Sequence, residues 1–126
     1  MTLRILHVED DEDIREIAKL SLEMTGEFEL MQCASGPEAI AAAPGYAPDL
    51  LLMDVMMPGM SGEQLLAELR KLPGFADTPA IFMTARAQPT EVKALRDQGA
   101  LEVIVKPFDP LSLATQIQDI LAAAPA

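Results

Sequence analysis

Residues 48–62 read PDLLLMDVMMPGMSG. Leu50 to Met53 and Val55 are apolar, as in a strand covered on both faces, yet Asp54 interrupts them and a Met-Met-Pro-Gly turn follows at once. A carboxylate at the edge of a core is costly to desolvate unless something pairs with it. What the rest of the chain brings to the end of that strand therefore decides both the fold and the chemistry.

Strand-like and helix-like stretches alternate on either side of it. Residues 3–8 (LRILHV) have strand length (β1), and 11–25 carry Ile14, Ile17, Ala18, Ser21 and Leu22 at helical spacing (α1), with Gly26 placed for a left-handed cap. FELMQC, 28–33, is a second strand (β2). An alanine-rich helix starts at Ser35-Gly36-Pro37 and stops at Pro44-Gly45 (α2), and 49–53 is the third strand (β3). Ser61 caps a helix over 62–71 that sets Leu65, Leu66 and Leu69 on one face and ends on Arg70 and Lys71, where cations suit the helix dipole (α3). After the loop LPGFADTP comes AIFMT, 80–84 (β4), then a thinly apolar helix over 89–98 ending at Gly99 (α4), and LEVIV, 101–105 (β5). Asp109 and Pro110 supply an N-cap and a first-turn proline for the last helix, whose stripe is Leu113, Ile117, Ile120 and Leu121 (α5), and the tail AAAPA is expected to fray.

Five β-α units in a row imply an α/β fold, a doubly wound parallel five-stranded sheet with helices on both faces, because parallel strands need crossovers and these are right-handed. The 126 residues, half of them hydrophobic, suit one domain over 1–126. A net charge of −11 disfavours direct contact with nucleic acid or anionic membranes. Cys33 is the only cysteine, which excludes an intrachain disulfide, and no signal peptide or membrane-length apolar run is present, so a cytoplasmic location is expected.

In such sheets functional groups gather at the carboxyl ends of the strands. There the sequence sets Glu9 and Asp10 after β1, Asp54 after β3, Thr84 after β4 and Lys106 after β5. Asp54 thus ends a buried strand because it is presented to a crevice. Two carboxylates about 4 Å apart repel by roughly 4 kcal/mol at an effective dielectric of 20, and a divalent cation removes that penalty. Oxygen ligands without imidazole or thiol favour Mg²⁺. A carboxylate beside a hard cation, a lysine and a hydroxyl is arranged to attack a phosphoryl group and hold it.

The motifs VEDD after β1, DVMMPGMSG after β3, TA after β4 and KPF after β5 resemble those of the receiver domain of two-component response regulators, over essentially the whole chain. The resemblance implies the flavodoxin-like (βα)5 fold with strand order 2-1-3-4-5. It makes Asp54 the acceptor of a phosphoryl group from the phosphohistidine of a histidine kinase or histidine phosphotransferase. Glu9, Asp10, Asp54 and the backbone carbonyl of Met56 become the Mg²⁺ site, Thr84 the switch hydroxyl and Lys106 the lysine beside the phosphoryl group. It also implies a cis Lys106-Pro107 bond, a downstream protein partner on the α4-β5-α5 face, a monomer or weak homodimer, and no enzyme activity beyond self-phosphorylation and slow dephosphorylation. One position departs: where the family commonly has Tyr or Phe, three residues before the lysine, stands Val103. The chain ends just past α5, so a stand-alone regulator or a receiver fragment without an output domain is expected.

Other residues carry blander readings. Asp11 and Asp13 suit a helix N-terminus, His7 a hydrogen-bonded core position, and Cys33 an inert buried thiol. Met53, Met56, Met57 and Met60 fill gaps rather than bind a soft metal. Met56 and Arg86 are placed at the crevice mouth, where they control access of water to an acyl phosphate. Two further functions share features of this pattern but lack a residue each requires. An aspartyl phosphatase would need an acid where Met56 stands, and a flavin carrier would need a hydroxyl-rich phosphate loop where the chain has EDDED.

Overall fold

The computed structural model describes residues 2–124. The elements are β1 (Leu3–Val8), α1 (Glu12–Glu23), β2 (Phe28–Cys33), α2 (Gly36–Tyr46), β3 (Leu50–Asp54), α3 (Gly62–Arg70), β4 (Ala80–Thr84), α4 (Pro89–Asp97), β5 (Glu102–Val105) and α5 (Leu113–Ala123). All strand pairs are parallel, in the order β2-β1-β3-β4-β5. This is the expected flavodoxin-like topology. The chain leaves β1 toward one edge and returns to build β3 on its other side, so β1 and β3 flank the point where the strand order reverses.

Side-chain alternation splits the core into two layers. Leu50 and Leu52 of β3 face Ala18 and Leu22 of α1 and Leu113 and Ile117 of α5. Leu51 and Met53 face Ala39 and Ala43 of α2, the leucines of α3 and Leu95 of α4. Every residue of β3 is buried, which accounts for its unbroken apolar run.

Several helix ends follow from local chemistry. Asp11 accepts from the Asp13 and Ile14 amides at 2.9 and 3.3 Å and caps α1. Ser35 caps α2, and Ser61 forms a reciprocal capping box with Gln64. Gly26 does take a left-handed conformation (φ +73°).

Several boundaries differ from the sequence reading by one to three residues, and two of them have an evident cause. α2 does not stop at Pro44: it runs to Tyr46 and is capped by Ala47 in the left-handed region (φ 54°). Tertiary packing outweighs the proline here, for Tyr46 is buried, donates to the Glu29 carbonyl at 2.9 Å and stacks under the Arg4 guanidinium at 4.5 Å. α5 begins at Leu113 rather than at Pro110. Asp109 instead anchors a turn that leads straight into the helix: its carboxylate accepts from the Leu111 amide at 2.9 Å and its carbonyl from the Ser112 and Leu113 amides at 3.0 Å. Of the tail expected to fray, Ala122 and Ala123 belong to α5, and residues 125–126 lie outside the described residues.

Gly62 marks where α3 touches the end of β3. Its amide donates to the Val55 carbonyl at 2.9 Å. A Cβ on it would lie 2.2 Å from the Asp54 carbonyl oxygen, a backbone atom that cannot swing aside. Gly62→Ala is expected to destabilise the fold by about 3 kcal/mol, at the upper end of overpacking costs. A urea midpoint shift checks this, and a shift within error would mean that α3 can retreat freely.

Candidate functional site

The strand ends bring together most of the residues expected there. Glu9 follows β1 and is 1 % exposed, Asp54 closes β3 at 4 % and Thr84 closes β4 at 4 %. One carboxylate oxygen from each of Glu9, Asp10 and Asp54 lies within 4.8 Å of the others. Glu9 and Asp54 are buried whereas Asp10 is exposed, so the cluster opens to solvent on the Asp10 side.

Lys106 reaches over this cluster from the loop after β5. Its Nζ is 2.8 Å from Glu9 Oε1 and 3.2 Å from Asp54 Oδ1, with the side chain 16 % exposed. The Lys106-Pro107 bond is cis, as expected. Burial pushes the Glu9 carboxyl up to about 7; the Lys106 hydrogen bond opposes this and the Asp54 charge reinforces it. Burial works against the Lys106 ammonium, but its hydrogen bond and attraction to Glu9, and then Asp54, hold its pKa above the ordinary value. One ammonium thus offsets part of the repulsion among three acids. The rest is what a divalent cation would relieve. The donor set fits such an ion: carboxylates only, without imidazole or thiol in the cluster, as hard cations prefer.

The Thr84 hydroxyl is engaged by its own loop, accepting from the Arg86 amide at 3.0 Å. Met56 and Arg86 both line a cleft of about 320 Å³ that includes Thr84 and reaches Leu95 of α4. Met56 also borders the wider opening beside Asp10. The expectation that both stand at the crevice mouth matches these positions. Val103 packs against the core layer under α2, α3 and α4, opposite Phe82 of β4.

His7 and Cys33 are core residues, as read from the sequence. Gln32 Nε2 lies 3.1 Å from His7 Nδ1, while among the described residues His7 Nε2 has no partner. Burial, and then the charges of Lys106 and Arg15, lower the His7 pKa to about 4, so the ring is neutral at physiological pH. Cys33 is buried, which raises its thiol pKa.

Reading strand ends alone misses Arg15 and Gln32. Arg15 Nη1 donates to the Glu9 carbonyl at 2.7 Å, and Gln32 Nε2 donates to the Arg15 carbonyl at 2.7 Å. The one sequence signal is the pair of polar residues His7 and Gln32 in neighbouring strands, and only the register shows that they face one another.

Comparison with known proteins agrees with this geometry. The family model for the response regulator receiver domain matches residues 5–118. The transcriptional regulatory protein YvrH of Bacillus subtilis is 37 % identical over 114 residues, which are 90 % of this chain and 47 % of that protein. A 14.6 kDa protein from the sodA1 3' region of Leptolyngbya boryana is 35 % identical over 121 residues, covering 96 % of this chain and 92 % of that one. The chain thus spans about half the length of the transcriptional regulators it matches and nearly all of the smaller protein. Among solved structures, the chemotaxis response regulator CheY4 of Vibrio cholerae superposes with a TM-score of 0.88 at 28 % identity, over 95 % of this chain and 99 % of that one. None of the described helices is long and apolar enough to cross a membrane. With the expected strand order, the acidic cluster and the lysine in place, and the family match spanning nearly the whole chain, the chain belongs to the response regulator receiver domain family.

Proposed function

We propose that the chain is a phosphoacceptor signalling domain of a two-component system, in which Asp54 takes a phosphoryl group from the phosphohistidine of a histidine kinase or histidine phosphotransferase. The observation that carries this is one buried carboxylate, Asp54, with an ammonium at 3.2 Å and two further carboxylates gathered beside it. An Asp54 oxygen attacks phosphorus as the phosphorus–nitrogen bond breaks, and the imidazole nitrogen keeps the bonding pair. Lys106 lies where it meets negative charge on the transferring oxygens. Glu9, Asp10, Asp54 and the Met56 carbonyl would hold Mg²⁺, which supplies charge neutralisation to the phosphoryl oxygens when bound.

The switch in this reading is Thr84. Its hydroxyl leaves the Arg86 amide to donate to the phosphoryl group, drawing loop 85–88 after it, with α4 following because only Leu95 of that helix is buried. With Val103 where the family commonly has an aromatic ring, readout on the α4-β5-α5 face passes through the loop and α4. A downstream protein binds that face and the chain acts as a monomer or weak homodimer in the cytoplasm, without touching nucleic acid or membrane itself. Turnover is limited to its own phosphorylation and slow dephosphorylation. Met56 offers no general acid for rapid hydrolysis, and with Arg86 it governs water access at the cleft.

The test is incubation with acetyl phosphate. A phosphoryl adduct that needs Mg²⁺ and is cleaved by hydroxylamine, as an acyl phosphate is, is the expected mass-spectrometric result. No adduct under those conditions would remove this function.

A further inference from the structure

The backbone of Glu9 is gripped from outside its own loop. Its amide donates to the Cys33 carbonyl at the end of β2 (3.0 Å), and its carbonyl accepts from the Arg15 guanidinium on α1 (2.7 Å). Only residues 9–11 separate β1 from α1, so these contacts set how both Glu9 and Asp10 present their side chains.

Arg15 is held in turn. The Gln32 amide nitrogen donates to the Arg15 carbonyl at 2.7 Å and lies 3.1 Å from His7 Nδ1. A carbonyl can only accept, so the Gln32 atom facing it is the nitrogen. Its second hydrogen then goes to His7 Nδ1, which leaves the ring proton on Nε2. One side-chain amide thereby ties the first turns of α1 to β2 and β1, using both of its hydrogens. Apolar side chains at positions 7 and 32 would fill the same space without burying an imidazole N–H that finds no partner among the described residues. Packing alone does not account for the pair.

We propose that Arg15 and Gln32 are positioning residues for the acidic cluster: Arg15 fixes the Glu9 carbonyl and Gln32 fixes the turn of α1 that carries Arg15, so the Glu9 and Asp10 carboxylates face the crevice before a divalent cation arrives. This rests on the function proposed above. Groups that orient a metal's ligands commonly matter to affinity about as much as tenfold or more.

Calorimetric titration of Mg²⁺ into the full chain tests it. Arg15→Met is expected to weaken Mg²⁺ binding about tenfold. Arg15→Lys, which keeps a donor for the carbonyl, recovers most of the loss, and adding Gln32→Met to Arg15→Met costs little more because both act through one contact. Electrostatics alone has the opposite sign, since deleting a cation beside three carboxylates tightens cation binding. Unchanged or tighter binding by Arg15→Met overturns the proposal, as does a loss that Arg15→Lys fails to recover. Amide exchange at Asp10 and Asp11 in metal-free protein is the second readout. Faster exchange in Arg15→Met at unchanged global stability supports the positioning role, and protection equal to the parent's overturns it. If the parent chain itself binds no Mg²⁺ at millimolar supply, the proposed function fails while the exchange comparison still decides the positioning.

Discussion

An Asp54→Asn chain is expected to take up no phosphoryl group from acetyl phosphate, where the parent gains one. The amide is isosteric with the carboxylate but has no anionic oxygen to attack phosphorus. Stability should change little, because the substitution removes two opposed terms. Asp54 pairs with Lys106 at 3.2 Å, and its charge also repels Glu9. Glu9 keeps its own contact with Lys106 at 2.8 Å, so its pKa should fall back from about 7. Lys106→Met gives a different pattern. It leaves the acceptor in place but removes the ammonium facing it, so phosphorylation should slow by about 100-fold, the range seen when one preorganised charge donor is lost. Mg²⁺ affinity should hold or rise, since the cation competing for the same carboxylates is gone. Adduct formation by mass spectrometry and Mg²⁺ titration of both variants check this. An adduct on Asp54→Asn would place the acceptor elsewhere, and a marked fall in Mg²⁺ affinity for Lys106→Met would mean that the lysine organises the cluster rather than offsetting its charge.

The second large effect is hidden in the parent's pH dependence. His7 is neutral when folded, with its pKa lowered from 6.5 to about 4, so between those values the unfolded chain binds more protons. Its contribution is present above pH 6.5 and lost as pH falls through about 4; at 1.36 kcal/mol per pK unit this amounts to about 3 kcal/mol. Glu9 runs the other way. Its folded pKa rises from 4.5 to about 7, so its contribution is present below pH 4.5 and lost as pH rises through 7. The two windows overlap, so in metal-free protein the His7 and Glu9 contributions oppose one another between pH 4.5 and 6.5. His7→Leu exposes the Glu9 term, and stability should then fall as pH rises across that window. Glu9→Gln exposes the His7 term, and stability should climb from pH 4 to 6.5. If Glu9 ligates Mg²⁺ as proposed, saturating Mg²⁺ would hold it as a carboxylate and give the parent the same rising limb. Denaturant titrations at half-unit pH steps read these slopes, and parallel curves for the parent and both variants would sink the assignment.

The site was legible to the extent that it depends on strand ends. Asp54, Glu9, Asp10, Thr84 and Lys106 each follow an apolar run of strand length, and a parallel sheet sends all such ends to one edge. The relay behind Glu9 was not legible, because it runs through contacts 17 and 25 residues apart in sequence, from the Gln32 side chain to the Arg15 carbonyl and to the His7 ring. Nor was the resting state of Thr84, whose hydroxyl is held by a backbone amide two residues on. That contact depends on how the loop turns, which residue types do not dictate.

By itself the sequence determined the order of elements, the parallel sheet and the edge at which the acids meet, because hydrophobic period, cap residues and crossover handedness are local or generic constraints. It also determined the cap of α3, where the Ser61 side chain bonds to the Gln64 amide three residues away. Only the tertiary structure decided that α2 runs through Pro44 so that Tyr46 can be buried, and that Lys106 bridges Glu9 and Asp54. In each of these cases a contact between residues distant in sequence overrides or completes the local preference, and such contacts exist only once the sheet has been assembled.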